Sequence, residues 1–87
     1  MSVYAIEQAL FDIASDPQET NAYRADPRHF LTRYRLDPQE CRLILDMDVK
    51  NLIGLAINPM LTMRAFTAIE GRDSMPEYMR RIRPPVA

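Results

Sequence analysis

Along the first fifteen residues the apolar positions recur at three- and four-residue intervals. Val3, Ile6, Ala9, Leu10 and Ile13 share one face at 100° per residue, which predicts an amphipathic helix over about 3–14. Tyr4 and Phe11 fall off that face, seven residues apart and so one above the other. A second long helix is predicted over about 59–70, with Leu61, Ala65, Ala68 and Ile69 on one arc and Met60, Met63 and Phe66 outside it. A small domain has one core, so both off-arc sets call for another partner. Met and aromatic residues are enriched where proteins meet.

Between these helices the chain is punctuated by Asp-Pro at Asp16-Pro17, Asp26-Pro27 and Asp37-Pro38, and by Asn58-Pro59. Asp or Asn caps the unpaired amides of a first helical turn, and Pro fits the first helical position, whose N–H would be unpaired anyway. Glu19 and Glu40 lie three residues after a capping Asp, and Glu77 three after Ser74, in the spacing of a capping box. The predicted elements are a short helix after Asp16, one from Asp26 to about Tyr34, one over 38–46 and one over 49–56 capped by Asp48. The 59–70 helix closes on Gly71 in a left-handed conformation, and a last helix covers 75–82 before Pro84-Pro85. Two glycines and no alternating β-branched run leave no case for a sheet. The expectation is an all-α fold: a single small multi-helical domain over 1–83 with a short C-terminal tail over 84–87.

Charge and composition narrow the functional classes. The 87 residues carry a net charge of −1, unlike a nucleic-acid binder, whose affinity rests on excess Lys and Arg. Arg80, Arg81 and Arg83 cluster, but at a helix C-terminus, where the dipole favours cations. No apolar run is long enough to span a membrane, and the N-terminal segment lacks a basic region of the secretory kind. One cysteine fits a reducing compartment, so a cytoplasmic location is expected.

The chain holds one histidine, His29, and one cysteine, Cys41, on different predicted helices. Metal sites need more donors than that, so no metal ligand and no catalytic residue is expected in this chain. Gly54 and Gly71 stand alone and make no phosphate loop, and no Ser-His-Asp or Cys-His arrangement is present at useful spacing. Asp46 and Asp48 form a carboxylate pair, but Asp48 reads more simply as a helix cap.

A series of residues in one register then matters: Tyr23-Arg24-Ala25-Asp26, Phe30-Leu31, Tyr34, Leu36-Asp37-Pro38, Asp48, Leu52-Ile53 and Asn58, with Glu77-Tyr78 after a break. The ordered series resembles the alpha subunit of protocatechuate 4,5-dioxygenase and its small relatives, over about two-thirds of the chain. Departures lie at Ala56 and Ile57, where the family usually has glycine before the Asn, in a shorter segment before Glu77, and in a missing N-terminal extension.

The resemblance implies a non-catalytic small subunit of a two-subunit extradiol ring-cleavage dioxygenase. Such a subunit caps and stabilises a large catalytic subunit and narrows substrate entry. Fe(II) is expected in that partner, held by two His and a carboxylate, and no cofactor in this chain. The candidate partner interface is Tyr4, Phe11, Asn58, Met60, Met63 and Phe66, and the isolated chain could pair with itself. Two other readings remain: a leader or docking domain of the same helical fold that recruits a peptide-modifying enzyme, and a free-standing interaction domain. The five residues after Ile82 are a poor core peptide, which weighs against the leader.

Overall fold

The computed structural model describes residues 3–82. Among them are seven α-helices, one 3-10 turn and no strand: α1 (Val3–Ser15), α2 (Pro17–Ala25), α3 (Pro27–Leu31), α4 (Pro38–Leu45), α5 (Val49–Gly54), α6 (Pro59–Glu70), the turn Arg72–Ser74 and α7 (Met75–Ile82). The all-α expectation holds. Arg83 and the tail over 84–87 lie outside the described residues.

The three Asp-Pro junctions and Asn58-Pro59 all start helices through their capping side chains. Asp16 accepts the Gln18 N–H, Asp26 that of His29, Asp37 that of Glu40 and Asn58 that of Met60. The full reciprocal box forms only at Asp37, where the Glu40 carboxylate also accepts the Asp37 N–H at 2.9 Å. Glu19 instead pairs with Arg33 of the segment after α3. Glu77 pairs with Arg80 and Arg81 on its own helix, while the Ser74 hydroxyl donates to the Gly71 carbonyl. In both places a nearby guanidinium outcompetes a neutral backbone N–H for the carboxylate.

Helices α4 and α5 end in the same way. The Asp48 N–H reaches the Leu43 carbonyl and the Met47 N–H that of Ile44. The Ile57 N–H likewise reaches Leu52 and the Ala56 N–H Ile53. These are two Schellman closures with Met47 (φ 48°) and Ala56 (φ 68°) in the left-handed position usually held by glycine. Gly71 closes α6 differently from the left-handed expectation. Its φ of 100° pairs with an extended ψ of 166°, a region essentially reserved for glycine.

The core is laid down by α1, whose Ile6, Ala9, Leu10 and Ile13 are fully buried. Phe30, Leu31, Ile44, Leu52, Ala65 and Phe66 add to it from the other helices, and Ile57 from the link between α5 and α6. Each large side chain so buried contributes roughly 1.5–3 kcal/mol. Helices α1 and α6 pack side by side. Glu7 meets the start of α6 at Asn58, and Ala14 shares a depression with Ala68 near its end, so the two run in the same direction. Aromatic edges bind the rest: Tyr23 on Phe30 at 5.7 Å, and Phe66 on Tyr78 at 5.5 Å. Arg81 lies over the Phe66 ring at 5.0 Å and donates to the Met47 carbonyl, tying α7 across the core to the end of α4.

On α6 the buried face differs from the expected arc. Thr62, Ala65 and Phe66 are buried, while Leu61, Ala68 and Ile69 are only half-buried. Thr62 can lie on that face because its hydroxyl donates to the Asn58 carbonyl one turn back, at 3.1 Å, so a nominally polar residue enters the core with its hydrogen bond made. Phe66, one turn on, is buried on the same face.

Candidate partner-binding face

The six residues expected at an interface do not all reach the surface. Phe66 is 1% exposed and stacked between Tyr78 and Arg81, so its assignment to a partner surface is corrected: it is a core residue. Met63 is half-buried and packs against the core. Asn58 is exposed but locally employed. Its side chain caps α6, and its own N–H donates to the Glu7 carboxylate at 3.2 Å.

Tyr4, Phe11 and Met60 remain outside, at 76%, 53% and 60% exposure. Tyr4 and Phe11 lie three residues before and four after Glu7, so the three share one strip of α1. Glu7 touches Asn58, and Met60 follows in the first turn of α6. The Glu7–Asn58 contact thus joins the strip of α1 that carries Tyr4 and Phe11 to the start of α6, whose first turn carries the exposed Met60. Nothing inside this domain needs them, because the opposite face of α1 already closes the core. Met79 on α7 is also exposed, at 42%. No apolar periodicity marks it, because α7 is short and largely polar.

Elsewhere the geometry offers little chemistry. Among the described residues no three His, Cys, Asp or Glu side chains converge as a metal site would require. His29 is exposed on α3, and its N–H serves the Asp26 cap. Burial, with Asp37 and Glu40 nearby, pushes the Cys41 thiol up, away from the reactive thiolate. An open groove of about 580 Å³ runs beside α4 and α5, lined by Leu43 and Leu55 together with Arg42, Asp46 and Asp48. Asp48 is occupied as a cap, accepting from both the backbone and the side chain of Asn51. No helix among the described residues is long and apolar enough to cross a membrane.

Two tyrosines carry strongly shifted phenols for structural reasons. Burial pushes Tyr23 up to about 12, helped by the charges of Glu70 and Asp46. Burial and a hydrogen bond to Asp12 raise Tyr34 further. Both shifts follow from burial and neighbouring acids: Tyr23 shares a depression with Arg24, Asp46, Glu70 and Arg81, and Tyr34 is bonded to Asp12.

No family model, curated protein or solved structure matches this chain.

Proposed function

We propose that this chain is a non-catalytic small subunit that docks on a larger enzyme through the outer face of α1 and the start of α6. The enzyme proposed is an Fe(II) extradiol ring-cleavage dioxygenase. The observation that carries the docking reading is the position of Tyr4 and Phe11. They are exposed on a helix whose other side is buried, and Met60 is exposed in the first turn of the neighbouring α6. Tyr and Met are enriched at protein contacts, and aromatic side chains supply much of the binding energy there. The choice of a ring-opening partner rests on the ordered residue series from Tyr23 to Asn58.

Most of that series has a fold-building role: Tyr23, Phe30, Leu31 and Leu52 fill the core, and Asp26, Asp37, Asp48 and Asn58 cap helices. The series therefore supports kinship of fold first and identity of the partner through it. In the proposed division of labour this chain contributes shape and stability, and the large subunit holds iron and substrate.

The test is reconstitution. The tagged chain, co-expressed with a ring-opening dioxygenase large subunit encoded beside it, should co-purify with that subunit and raise its catechol-cleaving activity. The chain alone should show neither stoichiometric Fe(II) nor ring cleavage. Tight Fe(II) binding with cleavage by the isolated chain would overturn the reading, as would a large subunit indifferent to its presence.

A further inference from the structure

Resting on the docking reading above, we infer that the partner surface meeting α1 is an apolar pocket bordered by lysine or arginine, and is not a second copy of this chain. The argument begins with charge. Residues 3–23 hold four carboxylates, Glu7, Asp12, Asp16 and Glu19, and no lysine or arginine. Arg33 reaches this stretch and is taken by Glu19, and Arg24 lies beside Ala14 and Ser15 at its far end, away from Tyr4 and Glu7 in sequence. Glu7, Asp12 and Asp16 have no ion-pair partner among the described residues.

These acids are interleaved with the exposed apolar residues. Glu7 lies between Tyr4 and Phe11 on the strip, and Asp12 follows Phe11. Both carboxylates are fixed rather than free to swing away. Glu7 accepts the Asn58 N–H, and Asp12 accepts from Gln8 and from the Tyr34 hydroxyl. A partner covering Tyr4 and Phe11 must therefore strip water from two oriented negative charges. Doing so without opposite charge opposes binding, because a desolvated carboxylate loses its hydration with nothing to replace it. A lysine or arginine beside each acid removes that penalty and steers the encounter.

The same reasoning disfavours self-association through this face. A twofold dimer sets one patch against its own copy. Tyr4 and Phe11 would meet their equivalents only by bringing Glu7 and Asp12 against the other copy's acids. Like charges in a water-excluded contact oppose binding.

The experiment uses the full chain with photoreactive benzoylphenylalanine at position 11, expressed in its native cells. The captured protein is identified by mass spectrometry and then produced recombinantly. Its affinity for the unlabelled chain is measured from about 50 to 500 mM NaCl, a range over which the screening length falls severalfold. Carbodiimide, which joins carboxylates to amines at contact distance, maps the neighbours of Glu7 and Asp12. Glu7→Gln and Asp12→Asn keep an acceptor oxygen for Asn58 and Tyr34 while removing the charge, and a melting curve checks each fold. We expect affinity to fall as salt rises, and the double variant to associate roughly tenfold more slowly with a flattened salt response. Carbodiimide links to partner lysines add support. A captured partner whose affinity ignores both salt and the double variant overturns the basic-rim inference and leaves docking standing. Capture of a second copy of this chain overturns the inference in favour of a homodimer. No capture from position 11 overturns the docking face as well.

Discussion

The hydroxyl of Tyr34 donates to Oδ2 of Asp12 at 2.5 Å, joining the turn after α3 to the outer flank of α1. The bond fixes a carboxylate that also receives Gln8, and it sets the Tyr34 ring against Phe30 at 5.8 Å. Tyr34→Phe keeps the ring and loses the bond to a charged acceptor. It should cost about 1–2 kcal/mol, the scale for such a bond at a half-buried site. Chemical denaturation of the two proteins measures this, and equal midpoints and slopes would show the bond to be worthless.

High pH should unfold the domain through its tyrosines. Burial raises Tyr23 to about 12 from an ordinary value of 10, and Tyr34 and Tyr78 are raised too. Each phenol stays neutral in the fold where the unfolded chain would ionise. Their contribution is thus complete below pH 10 and disappears as pH rises from 10 through 12. The melting temperature should hold steady from pH 8 to 9.5 and fall steeply above 10. At the acid end Glu77, held down at about 2 by Arg80 and Arg81, works in the opposite sense. Its contribution is present above pH 4.5 and lost as pH falls towards 2, and solvent screening keeps it small.

Much of this architecture was legible because its signals are local. Asp-Pro and Asn-Pro mark helix starts through backbone geometry alone, and the α1 stripe sits where its periodicity puts it. The errors came where a residue's side chain could choose among partners. Glu19 had the spacing of a capping box and took Arg33 instead, a choice that depends on where α3 ends. Thr62 is polar by type, yet its hydroxyl is satisfied by the Asn58 carbonyl and it shares the buried face of α6 with Phe66, a phase that the apolar pattern alone does not give. Tyr4 and Phe11 could be set outside the core from periodicity because α1 is long enough to define a face.

The closure of α5 invites a stabilising change. Ala56 occupies a left-handed position at φ 68° with an exposed side chain that nothing requires. An alanine there carries a steric cost of roughly 1–2 kcal/mol, partly offset by the greater freedom glycine has when unfolded. Ala56→Gly should therefore gain about 0.5–1 kcal/mol. That is a rise of several degrees in Tm for a domain of this size. The parallel change Met47→Gly should destabilise, because Met47 is 4% exposed and its side chain would leave a hole. If both glycines act alike, the burial of Met47 is not what distinguishes the two sites.

The three Asp-Pro caps should differ in worth. Asp37 shares a reciprocal box with Glu40, which is 2% exposed, whereas Asp16 and Asp26 cap without a reciprocal partner. Asp37→Ala should cost about 2 kcal/mol and the other two nearer 1 kcal/mol or less. Equal losses at all three would mean that the buried Glu40 adds nothing to its cap.

Phe66 and Phe11 offer the sharpest contrast between folding and docking. Both are phenylalanines on the two helices that pack together. Phe66 is 1% exposed, with Tyr78 against its edge and Arg81 over its face, while Phe11 is 53% exposed. Phe66→Ala should remove about 3–5 kcal/mol of stability through lost burial and the cavity left behind. Small domains hold only about 5–15 kcal/mol in total, so much of this variant should be unfolded or lose cooperativity on mild heating. Phe11→Ala and Tyr4→Ala should melt within about 0.5 kcal/mol of the parent, as surface substitutions usually do. Their effect should appear in the complex, as a loss of about 2 kcal/mol or more in partner affinity, roughly thirtyfold. Thermal unfolding of each isolated variant, followed by titration with the large subunit, separates the cases. Instability at Phe11 would return it to the core. Undiminished binding by a folded Tyr4→Ala, Phe11→Ala double variant would show that the exposed strip of α1 faces solvent in the assembly, and the docking face would have to be sought elsewhere, around Met79.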